Sequence, residues 1–182
     1  HAGRAFYDGR NAICHLAALI SEINSLNDQA TNLTINVGHI NGGIALNVVP
    51  SLAVAKLDVR FQTSDEQQLF LTSIDKLISK YNNADGFKVK RYGDFSRPAK
   101  PLTHATLKLF NLLSNVGESL SLAIDWQPSG GCCDGNNLSA QGLPVIDTLG
   151  VRGGMIHSSN EFMVPESLVE RSQLSTLLLM IL

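Results

Sequence analysis

Cysteine is scarce in this sequence: three in 182 residues, Cys14, Cys132 and Cys133. The number is odd and two are adjacent, so no disulfide framework can be drawn. Nor do they form the CxxC-type pairs of a zinc knuckle. This usage favours a reducing compartment and so points to the cytoplasm. Charge is also sparse, at 16% of residues with a formal net charge of -2. A nucleic-acid partner is not expected, because binding it needs a basic surface that displaces counterions. No apolar run reaches the roughly 18 residues of a membrane span, so no membrane partner is expected. The closing LSTLLLMIL reads as a core-facing helix. There is no initiating methionine and no signal peptide, and the chain stops inside an apolar helical pattern. A piece of a longer protein is the expectation, and a native start lying upstream would hide any leader. Internal repeats and low-complexity tracts are absent.

What is present is an ordinary globular chain, 44% hydrophobic, with material for one or two domains and a real core. From Asp8, a candidate cap, Ile13, Leu16, Ile20 and Ile23 recur at helical spacing. TNLTINVGHI then alternates Leu33, Ile35 and Val37 with polar residues, as a half-buried strand does. Asn41-Gly42-Gly43 is turn chemistry. In SLAVAKLDVRF, Leu57, Val59 and Phe61 share one face of a second strand, and Lys56, Asp58 and Arg60 the other. Ser64 and Gln67 match a capping box before a helix carrying Phe70, Ile74, Leu77, Ile78 and Tyr81. FKVKRY follows the Asp85-Gly86 turn as an expected third strand. Helix, strand, strand, helix, strand lacks only an opening strand of a ferredoxin-like βαββαβ unit.

SRPAKP, with two prolines, marks the expected boundary, giving domains 1–95 and 96–182. Beyond it Thr103 can cap a helix burying Leu107, Phe110 and Leu113. SLAIDW and LPVIDTLG read as strands, the latter of the buried parallel kind. SGGCCDGNN is a glycine-rich loop between them, and a final helix begins after Pro165. Strand-helix alternation that cannot close its own sheet implies part of a larger α/β domain. Asn32-Leu33-Thr34 and Asn137-Leu138-Ser139 match the glycosylation sequon, a pattern that arises readily by chance.

Several residues invite chemistry. Arg60 and Asp58, two apart on one strand face, suit either an internal ion pair or a guanidinium held ready for a carboxylate. Gly130 and Gly131 let backbone amides approach a ligand closely. His157 sits in GGMIHSSNEFMVP with Glu161 four residues on; alone, it reads as a polar surface histidine.

Four stretches in order change that reading: HAG at the start, GGIALNVVPSLAVAKLDVR, SGGCCDGNNLSAQGLPVIDTLG, and HSSNE. Together they resemble the zinc metallohydrolases that include aminoacylase, acetylornithine deacetylase, succinyl-diaminopimelate desuccinylase and bacterial glutamate carboxypeptidase, the last branch being nearest. The resemblance spans essentially the whole chain. It implies a ferredoxin-like lid that forms a homodimer, lacking its first strand here, followed by the C-terminal part of an α/β catalytic domain. It implies two zinc ions, or other divalent metals such as cobalt, and hydrolysis of a dipeptide or N-acyl amino acid bearing a free carboxylate. His157 falls where the family's last metal-ligand histidine lies, and Glu161 is either its hydrogen-bond acceptor or a surface acid. His1 matches the lid histidine that reaches the neighbouring subunit's site and stabilises the oxyanion. Asn47 matches a family asparagine at the substrate, its amide a donor either to the carboxylate or to the oxyanion; Arg60, read from its own chemistry, is the residue expected to hold that carboxylate. Cys132 and Cys133 replace the family's small or hydroxyl residues in the loop. A nucleophilic cysteine is the alternative, with no histidine partner recognisable. Asp134 is expected to cap the next helix or orient the loop. The remaining ligands and the general base have no counterpart in this sequence, so the piece alone is expected to be inactive. A non-catalytic dimerisation or ligand-binding module is the alternative for the whole.

Overall fold

The computed structural model describes all 182 residues, His1–Leu182. They form two compact units, 1–99 and 100–182, divided inside SRPAKP. No helix is long and apolar enough to cross a membrane.

In the first unit a short 3-10 turn, Phe6–Asp8, precedes α1 (Ala12–Asn24). The cap of α1 is Asn11, not Asp8: its side chain accepts the Cys14 N–H at 3.0 Å. Asp8 lies inside the preceding turn, whereas Asn11 has the extended backbone a cap requires. β1 (Thr34–Gly42) and β2 (Ala53–Arg60) pair antiparallel from Thr34 opposite Arg60 to Gly42 opposite Ala53. One irregularity, between Val37 and His39, places an extra residue at Gly38, a bulge that bends an edge. α2 (Ser64–Asn82) carries its capping box one residue earlier than expected, at Thr63 and Glu66. Both registers fit the pattern, but the Glu66 carboxylate accepts from two backbone donors, Gln62 at 2.7 Å and Thr63 at 3.0 Å. An ionised acceptor makes the stronger bonds.

The expected stripes meet in one core, except that on α1 Leu19 is buried where Ile20 was expected and Ile13 is exposed. Leu19 and Ile23 of α1, Leu33 and Ile35 beside and in β1, and Phe70 and Ile74 of α2 are buried together, with Leu57, Val59 and Phe61 packed against them. FKVKRY is not a strand, because no ladder forms along it. Its Val89 packs on this core, and the Asn82 side chain replaces a neighbouring strand there, accepting the Val89 N–H at 2.7 Å and donating to its carbonyl at 3.0 Å.

In the second unit α3 (His104–Ser119) is capped by Thr103, whose hydroxyl accepts the Thr106 N–H at 3.1 Å. α4 (Asp134–Ala140) follows the glycine-rich loop, and α5 (Glu166–Ile181) starts directly after Pro165. Leu113 and Val116 of α3 are buried with Leu174 and Leu178 of α5. SLAIDW and LPVIDTLG form no ladder, correcting the expectation of strands. Their apolar residues do pack as predicted: Leu122, Ile124, Ile146 and Leu149 lie against the α3–α5 core. Burial was legible in these runs, but a strand also needs a paired neighbour. The only ladder in this unit is a two-residue one, β3 (Gly153–Gly154) with β4 (Phe162–Met163).

Candidate functional site

The residues singled out above are distributed over both units. In the first, the start of the chain lies against the 43–52 loop. The Ala2 N–H donates to the Asn47 carbonyl at 2.9 Å, and the Ala12 N–H to the Pro50 carbonyl at 2.9 Å. His1 and Asn47, both exposed, are thereby brought to the same end of the unit. The His1 Nδ1 accepts the Gly3 N–H at 3.1 Å. In the neutral ring this leaves Nε2 to carry the proton and act as a donor.

Arg60 is elsewhere. Its Nε lies 2.9 Å and its Nη2 2.7 Å from the two oxygens of Asp58. The internal pair therefore exists, and it holds the guanidinium in a defined orientation with 38% of its side chain exposed. Arg60 closes the ladder at the Thr34 end, while the 43–52 loop leaves it at the Gly42–Ala53 end. At about 3.3 Å per residue the ladder spans roughly 23 Å. Within one unit, Asn47 and Arg60 do not grip one small carboxylate.

In the second unit His157 lies on the loop joining β3 and β4. Its backbone is left-handed, φ 66°, as is that of Met155, φ 56°. The loop is tied internally: the Ser158 N–H and Oγ both bond the Met155 carbonyl, at 3.1 and 2.7 Å, and the Asn160 N–H reaches the Ser158 Oγ at 3.1 Å. Glu161 contributes differently from expectation. Its carboxylate accepts the backbone N–H of His157 at 3.2 Å rather than the ring. It therefore braces the unusual backbone at His157, whose imidazole is exposed. Gly153 is required here, since a Cβ would overlap the Phe162 carbonyl oxygen across the ladder.

Gly130 and Gly131 are exposed, and a Cβ on Gly130 would meet nothing within 4 Å. The Gly131 N–H already donates to the Ser129 Oγ at 3.1 Å. Cys133, not Asp134, caps α4. Its sulfur accepts the Gly135 N–H at 3.3 Å, and the Asn136 side chain returns a bond to the Cys133 N–H at 3.0 Å. The Cys133 thiol also donates to Asp147 at 2.9 Å, and Lys100 forms an ion pair with the same carboxylate oxygen. These commitments make Cys133 a structural thiol, in line with the absence of a histidine partner.

Asp147 and Lys100 were not anticipated from the sequence. No local spacing predicts a bond between residues 47 apart. Burial pushes the Asp147 carboxyl up, but the bonds from Cys133 and Lys100 outweigh it and hold the carboxyl below its ordinary value. A lowered carboxyl stabilises the fold at any pH above its unfolded value, and that contribution fades as pH falls through the folded one. Asp147→Asn is therefore expected to cost roughly 1–3 kcal/mol at pH 7. The deficit should shrink in acid, below the ordinary carboxylate range. Urea unfolding of both proteins at pH 7 and pH 3 checks this; an equal deficit at both would contradict it.

No group of three or more His, Cys, Asp or Glu side chains in the chain converges as a metal site. His157 fits as one donor to a metal, exposed on a braced loop, while a catalytic zinc takes three protein ligands.

Residues 1–86 match the family model described as the peptidase dimerisation domain, so the first unit is a domain of that class. Over its whole length the chain is similar to M20 peptidases, those of the glutamate carboxypeptidase branch among them. It is 27% identical to carboxypeptidase G2 of a Pseudomonas species over 177 residues, 94% of this chain and 41% of that protein. A probable carboxypeptidase of Arthroderma gypseum is 32% identical over 71 residues, 32% of this chain and 15% of that one. Among solved structures, a tripeptidase of Staphylococcus aureus superposes with a TM-score of 0.80 at 23% identity, covering 98% of this chain and 47% of that one. A dinuclear metal-binding M20 peptidase of Bacillus subtilis gives a TM-score of 0.69 at 18% identity, covering 92% and 45%. These two likenesses establish the mixed α/β fold. The chain thus spans less than half the length of each of these relatives.

Proposed function

We propose that residues 1–95 are the lid and residues 96–182 the C-terminal part of the catalytic domain of a two-metal amidohydrolase. Its substrate is a dipeptide or N-acyl amino acid with a free carboxylate. The observation that carries this reading is the placement of His1 beside Asn47 at one end of the β1–β2 ladder, with Arg60 held by Asp58 at the other. The likeness to carboxypeptidase G2, running through both units, supports it.

His157 would hold one of the metals, zinc or another divalent ion such as cobalt. When bound, these supply Lewis-acid polarisation of the carbonyl and a more acidic water. The His1 Nε2–H and the Asn47 amide donate hydrogen bonds to the oxygen that gains negative charge. Arg60, preset by Asp58, takes the substrate carboxylate. Because the two ends of the ladder lie far apart, His1 and Asn47 of one subunit serve a different substrate molecule from its Arg60. This accounts for a dimer in which His1 reaches the partner's site. Pairing through α1 and the outer edge of β1 would cover backbone groups that β2 leaves unpaired.

The single metal donor favours one second reading, a ligand-binding or dimerisation module without catalysis. Incubated with zinc, the 182-residue chain alone is expected to cleave neither N-acyl amino acids nor glutamyl dipeptides, and to take up no stoichiometric zinc. Turnover above background would overturn the assignment of the remaining ligands and the general base to other parts of the protein.

A further inference from the structure

The hairpin carrying His157 has only two residues in each strand, too few to hold a loop in place by themselves. Its fixation comes from α5. Ser167, in the first turn of α5, is fully buried at 0% exposure. Its hydroxyl donates to the Val164 carbonyl at 2.6 Å and accepts the Arg152 N–H at 2.8 Å. Arg152 precedes β3 and Val164 follows β4, and the Val164 N–H donates to the Arg152 carbonyl at 2.8 Å. One buried oxygen thus ties both feet of the hairpin to the helix. A salt bridge from the Arg152 guanidinium to Glu170, one turn along α5, runs parallel to it at 3.2 Å. At the tip, Glu161 braces the His157 backbone.

We propose that Ser167 is a positioning residue: it fixes the β3–β4 hairpin on α5 and so sets where the His157 imidazole stands. The proposal rests on the reading of His157 as a metal ligand. Removing this hydroxyl at a dry site is costly, because the Arg152 N–H loses its acceptor, while the Val164 carbonyl keeps only the Ser167 N–H at 3.1 Å. Alanine takes away only the oxygen and suits a helix, so Ser167→Ala keeps α5. Ser172 is the internal control. Its hydroxyl bonds the Leu168 carbonyl at 2.7 Å on the same helix and reaches no part of the hairpin.

The test uses the full-length protein and two readouts, amide hydrogen exchange and zinc affinity by competition with a chelator. In Ser167→Ala, amides in 152–164 should exchange at least about ten-fold faster, with the α3 and α5 core amides around Leu113 and Leu174 unchanged. Zinc affinity should fall roughly ten- to a hundred-fold, the range for losing a group that orients a metal ligand. Ser172→Ala should change neither readout. Unchanged exchange across 152–164 in Ser167→Ala overturns the proposal. So does a loosened hairpin that binds zinc as tightly as the native protein while His157→Asn binds it weakly, since His157 would then need no fixed hairpin. Undiminished zinc affinity in His157→Asn itself removes the ligand reading and the proposal with it.

Discussion

Replacing His157 by asparagine in the full-length protein is expected to lower turnover more than about a hundred-fold, with the fold intact. Removing a group that only orients a metal ligand already costs about 10- to 100-fold in affinity or activity, and loss of the ligand itself should exceed that. Asparagine is the informative replacement because His157 has a left-handed backbone, which asparagine tolerates better than most residues. The side chain is exposed and contributes nothing to the α3–α5 core, so stability should change by less than about 0.5 kcal/mol. Metal analysis separates this from a folding defect. Native metal content and near-native turnover in the variant would remove His157 from the metal site.

Arg60→Lys is expected to reduce kcat/KM about ten- to a hundred-fold on a substrate with a free carboxylate, equivalent to the roughly 1.5–3 kcal/mol of a charged hydrogen bond. Lysine keeps the charge but cannot present two parallel donors. Asp58 already engages the Nε and Nη2 of Arg60, and lysine would also lose this fork and with it a fixed direction. Exposed ion pairs of this kind are worth little to stability, so the variant should fold normally. On a substrate whose terminal carboxylate is an amide, native and variant should differ little. Equal impairment on both substrates would make Asp58–Arg60 a structural pair and no carboxylate clamp.

Where a feature rests on neighbours close in sequence, it was readable in advance. The alternation of Leu57 and Val59 with Asp58 and Arg60 gave β2 and its buried face, and Phe70 and Ile74 gave the buried stripe of α2. Pro165 placed the start of α5. Caps were misplaced by one to three residues, because Asp8 and Asn11, or Ser64 and Thr63, compete on similar chemistry and only the folded geometry chooses. The runs FKVKRY, SLAIDW and LPVIDTLG bury side chains as expected but form no ladder, since pairing belongs to two segments at once. The same limit hid part of the site. His1, Asn47, Arg60 and His157 each carry a local motif. Ser167, Asp147 and Lys100 act through partners 14 or more residues away, or through backbone atoms that have no identity in the sequence.

The central claim, that these two units belong to a metal-dependent amidohydrolase, is tested most directly on the purified full-length protein. Metal content per subunit and hydrolysis of N-acyl amino acids and glutamyl dipeptides should be measured before chelation, after it, and after zinc is restored. The expected result is two divalent ions per subunit, with activity that vanishes on chelation and returns with zinc. A protein that binds such ligands without cleaving them, or cleaves them equally well without metal, would contradict it.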